Sequence, residues 1–302
     1  MPGMMYHILY TFKMIFKNWK LFLPFLLIMV AAAILFVGLM SENTYQQFQA
    51  IIDQASEESG ANIGTFAKSG ILLVSTAFTG GLSVESSNAG AGIFVSLIFL
   101  IIWLVTIFIF RHVLAGQVIK LRDALYNAMT PLLSTFVVLV VAMVQCIPII
   151  LLLVAYSAAV ETKFLTAPVY IIMFLVFAAL MILLSFYLLS GTIMALVAVS
   201  APGLYPLEAL RTASDLMAGR RIRFILRIVA LIITLVIMWA VVMMPLIMLD
   251  MALGQFEWTA QIPFIPVCLV IMTCFSGIYV AAYFYFYYRW MLKFDTEPEK
   301  KR

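Results

Sequence analysis

Six apolar runs, at about 21–40, 91–110, 132–157, 168–198, 225–249 and 263–288, leave this chain few folds to choose from. As a helix, each run can cross a hydrocarbon core roughly 30 Å thick at a rise of about 1.5 Å per residue. Backbone N–H and C=O groups find no water at that depth, so the runs must satisfy them internally. The expected fold class is therefore all-α, a polytopic membrane helix bundle with about six transmembrane helices. Composition agrees: 65% of residues are hydrophobic, 11% are charged and mean hydropathy is +1.13, whereas soluble domains carry roughly 25% charged residues. Residues 1–290 read as a single integral membrane domain and 291–302 as a short cytoplasmic tail. The first run is too long for the apolar region of a signal peptide and lacks a small-residue cleavage site, so it reads as an uncleaved span. Pro148 and Gly191 are the positions where the third and fourth runs are expected to break or kink.

The distribution of basic residues sets an expected orientation. With the N-terminus inside, 16 of the 18 Lys and Arg residues fall on the inner side, and only Lys68 and Lys163 fall outside. Lys and Arg are enriched in cytoplasmic loops, so both termini are expected in the cytoplasm. The net charge of +4 then reflects residues flanking bilayer crossings, and no nucleic-acid partner is expected.

Several non-spanning stretches are amphipathic. MMYHILYTFKMIFKNW places Tyr6, Leu9, Tyr10, Met14 and Trp19 beside Lys13 and Lys17, the pattern of an interfacial helix with aromatic rings at the headgroup boundary. His7 is read as an interface residue. The outer segment, about 41–90, has Tyr45, Phe48, Ile51, Ile52 and Ala55 at near-helical spacing before Gly60. Residues 63–84 form an apolar patch too short for an ordinary span; a re-entrant segment, an interfacial helix and an outer cap all fit it. Tyr283, Tyr285, Tyr287, Tyr288 and Trp290 around Arg289 read as an aromatic belt at the inner membrane boundary.

Chemistry-bearing patterns are sparse. No Asp, Glu, Lys or Arg lies near the centre of a span; Asp250 is at an outer boundary, and Arg227 is at an inner one where its side chain can snorkel. Gln145, Tyr156, Ser185, Tyr187, Ser190, Thr192, Thr234, Thr273 and Ser276 either line a polar seam or make helix contacts, and the contact reading is favoured. Cys146, Cys268 and Cys274 form no C-x-x-C, and His7 and His112 lack partners at metal-ligand spacing. Neither a phosphate-binding glycine motif nor a catalytic triad or zinc signature is present. No catalytic residue, cofactor or metal is expected.

The most polar helix candidate is APGLYPLEALRTASDLMAGRRIRF, residues 201–224. Pro206 suits a first helical position, and Glu208 in the first turn complements the helix dipole. Leu207, Leu210, Ser214, Met217 and Arg221 recur at three- and four-residue intervals, predicting an amphipathic helix on the inner surface that Gly219 ends or bends. Arg220, Arg221, Arg223 and Arg227 then stand where the fifth span leaves the headgroups, as candidate contacts for anionic lipid. A weaker echo, GQVIKLRDALYNAMTPLLSTF, sets Leu121, Ala124, Leu125, Ala128 and Met129 along one side.

These stretches, together with QCIPIILLLVAYS, resemble prokaryotic six-span membrane proteins related to the membrane domain of glycerophosphoryl diester phosphodiesterases. Pro206, Ala209, Leu210, Ser214, Leu216 or Met217, Gly219 and Arg223 match that group's pattern before a span. The resemblance covers roughly residues 1–290 and implies the fold and a prokaryotic cell-membrane location. The catalytic phosphodiesterase domain, with its acidic and histidine metal ligands, has no counterpart in this sequence, so hydrolase activity is not carried over. The expected function is that of a non-enzymatic integral membrane protein organising lipid or partner membrane proteins, with a membrane-protein partner or a homo-oligomer in view. A transporter or channel for a small solute or lipid is the alternative.

Overall fold

The computed structural model describes residues 4–36, 89–117, 119–161, 168–200, 205–253 and 264–296. Among them every regular element is a helix and none is a strand: α1 Met4–Lys17, α2 Trp19–Phe36, α3 Ala89–Leu114, α4 Leu121–Ala128, α5 Leu132–Gln145, α6 Ile147–Glu161, α7 Pro168–Ala198, α8 Pro206–Met217, α9 Arg221–Leu253 and α10 Phe264–Thr296. Among the described residues six stretches are long and apolar enough to cross a membrane: Trp19–Phe36, Gly92–Leu114, Leu132–Ala159, Val169–Ala198, Arg221–Val242 and Pro266–Lys293. The chain is an all-α, multi-pass membrane protein. The expected outer helix near residues 45–60, the apolar patch at 63–84 and the tail beyond residue 296 lie outside the described residues.

The third crossing is built from two helices. Pro148 has no N–H, and the ladder is interrupted two residues earlier, at Cys146. The Ile149 N–H turns to Cys146 O at 3.0 Å instead of to Gln145 O, where a continuous helix would send it. The carbonyl of Gln145 instead accepts the Ser185 hydroxyl of α7 at 2.8 Å. Gly191 behaves otherwise than expected, because α7 runs through it unbroken. A glycine within a helix weakens it without preventing it. Here its missing side chain opens a face to α8: a Cβ built on Gly191 would stand 3.8 Å from the Ser214 Cα.

The described residues cluster into two compact units. One takes residues between Met1 and Arg122 and between Leu231 and Tyr283; the other takes those between Asp123 and Ala230 and between Phe284 and Arg302.

In the first unit, α1 carries Phe12 against Tyr279 of α10, with ring centroids 4.5 Å apart. Phe22 of α2 meets Phe110 of α3 at 4.8 Å. Gly277 lets α10 approach α3, since an added Cβ would come within 3.3 Å of Ile102 and 3.4 Å of Phe99. Lipid tails are as apolar as a leucine side chain, so close packing of this kind, more than burial from water, holds helices together in a bilayer. The Trp239 indole N–H donates to the Ser276 hydroxyl at 2.9 Å, and Ser276 donates in turn to Met272 O at 2.7 Å. His7 is buried within the protein. It lies on the packed side of α1, where Thr11 donates back to its carbonyl at 2.8 Å.

The second unit is organised around α7. Its first half is sheathed in exposed Ile172, Met173, Leu175, Leu180 and Leu183, and its second half, from Ser190 to Val199, is largely buried. Helices α5, α6 and α8 all pack on α7. The face that α8 buries is Ala209, Ala213 and Met217, whereas Leu207 is 78% exposed. Small side chains let two backbones approach, so alanines carry the contact that the leucine periodicity had suggested. The leucine is left on the outer face.

A candidate anion site at the arginine turn

A single glycine positions the four arginines named from the sequence. Helix α8 ends at Met217, and Gly219 takes φ 71°, the left-handed conformation that a side chain disfavours. The Arg220 N–H bonds back to Met217 O at 3.0 Å, and Arg220 O already accepts from the Phe224 N–H at 3.1 Å. The chain thus passes from the surface helix into the crossing within three residues. Helix α3 ends with the same device, and more completely. At Gly116, φ 75°, the Gly116 and Gln117 N–H groups close on Val113 O and His112 O, both at 3.1 Å, a Schellman ending.

The four arginines differ in role. Arg221 serves the fold: its guanidinium donates to the Ser214 hydroxyl at 3.2 Å and lies 4.2 Å above the Tyr187 ring. It ties the start of α9 to both α8 and α7. Arg223 is exposed and Arg220 half-buried. Arg227, expected to snorkel outward, is instead 92% buried, its relative exposure being 8%. Its guanidinium stands 4.7 Å from the Tyr287 ring centroid and 5.1 Å from that of Trp290, both on α10. The reason is the helix face: Phe224 and Leu231, about one turn either side of it, are buried as well. Phe224 stacks on Tyr287 at 5.4 Å and meets Phe284 at 5.9 Å.

Two aromatic faces attract the guanidinium through their quadrupoles, by about 2 kcal/mol or more where water is excluded. They offer nothing to its N–H edge in the plane. The buried Nη1 of Arg227 has no hydrogen-bond partner. A buried charged donor left unmet is costly, so this edge is suited to an anion.

The aromatic end of α10 also differs from expectation. Tyr283, Tyr285 and Tyr287 are buried, and only Tyr288 and Trp290 are half-exposed. A belt facing lipid would leave the tyrosines outward; here they form packing surface, and two rings of the series serve Arg227. Helical spacing puts Tyr287 and Trp290, three residues apart, on one face of α10, but does not say which side chain of α9 meets that face.

The polar positions inside the spans are mostly occupied by neighbours. Thr192 donates to the Gln145 side-chain oxygen and Ser185 to its carbonyl. Ser190 and Thr273 donate to Tyr187 O and Leu269 O in their own helices. The thiols of Cys146, Cys268 and Cys274 are free, and the His112 ring sits 3.0 Å from Phe108 O. Among the described residues no group of three or more His, Cys, Asp or Glu side chains could hold a metal ion. No family model matches the chain, nor does any curated protein or solved structure.

Proposed function

We propose that the chain is a multi-pass protein of a prokaryotic cell membrane, with both termini in the cytoplasm, that organises anionic lipid or partner membrane proteins and carries out no chemistry of its own. The observation that carries this reading is the α8–Gly219–α9 turn. A surface helix is fixed to a crossing by Arg221, while Arg227 lies against Tyr287 and Trp290. The inward bias of Lys and Arg supports the orientation, and basic clusters beside a crossing attract anionic headgroups. The resemblance to the membrane domain of glycerophosphoryl diester phosphodiesterases is in keeping with this role.

Crosslinking in native membranes, followed by purification in mild detergent, tests the proposal. Capture of a specific anionic lipid or a membrane-protein neighbour is the expected outcome. A lone monomer that carries neither would sink it.

The second reading is a transporter or channel for a small solute or lipid. It is favoured by Gln145, which lies within the third crossing and links to both Ser185 and Thr192, and by the buried Thr106 hydroxyl, which has no hydrogen-bond partner. Flux of a neutral solute or lipid through reconstituted vesicles, abolished by Gln145→Leu, would establish it over the organising role.

A further inference from the structure

We infer that Arg227 is the anchor of a site for one phosphate group, with Tyr287 and Trp290 as its shelf and Arg220 and Arg223, seven and four residues earlier in the chain, as added charge. The inference rests on the lipid-organising reading above and gives it a defined ligand chemistry. Arg227 is nine-tenths buried and fixed by two rings, yet its Nη1 is unmet. A guanidinium held in one plane offers parallel N–H donors to an oxyanion, a match that a lysine cannot make. Arg223 and Arg220 stand four and seven residues before Arg227, the spacing of one helix face, and their positive charge favours a dense anion.

Depth points to the same ligand. Arg227 lies six residues into α9, about 9 Å along its axis from Arg221, and Trp290 precedes Lys293 by less than one turn at the far end of α10. Aromatic and basic side chains mark the headgroup level of a bilayer. A lipid phosphodiester is found at that level, and a free phosphate ion can reach it from water.

The test uses the full chain in neutral detergent, with bound lipid counted by native mass spectrometry. Phosphatidylglycerol, the uncharged diacylglycerol and inorganic phosphate are the three probes. One phosphatidylglycerol per chain and no diacylglycerol are expected. If millimolar phosphate fails to displace the lipid, the headgroup of a lipid is the ligand; if phosphate displaces it and raises the melting temperature by itself, the free ion is.

Arg227→Gln should cut lipid retention about tenfold or more, the scale of one charge-assisted hydrogen bond. Arg227→Lys should fall between that variant and the wild type, and Arg211→Gln, on the exposed side of α8, should change nothing. Should Arg227→Gln not give monodisperse protein, the pair Arg220→Gln and Arg223→Gln reads the same loss.

Equal retention of both lipids overturns the site, as does full retention by Arg227→Gln or Arg227→Lys. So does a wild type that retains neither phosphatidylglycerol nor inorganic phosphate. Crosslinking that captures lipid in Arg227→Gln membranes as well as in wild type would sink this site and leave the organising role standing.

Discussion

Most polar side chains of the crossings are engaged locally, and removing each has a distinct consequence. Trp239→Phe deletes the indole N–H and leaves the Ser276 hydroxyl with only its bond to Met272 O. Hydrogen bonds between helices in membranes average about 0.6 kcal/mol and reach about 1.7. A loss in that range is expected for Trp239→Phe in detergent unfolding, and a double-mutant cycle with Ser276→Ala should recover the coupling. Gln145→Leu strips the acceptor from Thr192 but spares the bond from Ser185, which goes to the backbone. Its loss should therefore add to that of Ser185→Ala, as read from the same unfolding curves. At this scale the sequence was only partly legible. It named Arg227 and the α10 aromatics separately, but hydropathy does not say which side of α9 faces which side of α10. That Tyr287 and Trp290 would hold the guanidinium came from packing.

Two glycines decide how the surface helix α8 meets its neighbours. Gly219→Ala must hold a methyl-bearing residue at φ 71°, which costs about 1–2 kcal/mol. Faster amide hydrogen exchange in α8 is the expected sign, with the other helices unchanged. Gly191→Ala should be tolerated, since the added carbon would make ordinary contact with Ser214 at 3.8 Å. Gly191→Leu should push α8 away and expose Ser214 and Arg221 to protease or label. The start of α8 at Pro206, with Glu208 in its first turn, was legible in the residue pattern itself. The break at Cys146 was legible from Pro148. The buried face of α8 was not, because alanine contributes little to a hydrophobic stripe although it permits the closest helix approach.

The six crossings were the most legible feature of the whole molecule, because a bilayer imposes length and backbone satisfaction together. Which helices pack together was not legible, since every lipid-facing and protein-facing surface is apolar. Neutralising Arg220, Arg221 and Arg223 should weaken the inward bias at the fifth crossing, detectable as new protease cuts around α8 and reduced crosslinking to anionic lipid. Loss of Arg221 also releases Tyr187 and Ser214, so Arg221→Lys with the other two neutralised separates topology from packing. The contact between Phe12 and Tyr279 bears on the order of synthesis. A ribosome must add more than 260 residues after α1 emerges before that ring arrives. Until then the first helices wait in the membrane without their partner, and a stop codon placed just before Phe264 should yield a chain that inserts but is degraded within its first unit. Assembly of the first unit is thus gated by α10, and a pulse-chase measurement would show its protease resistance rising only once α10 has been made.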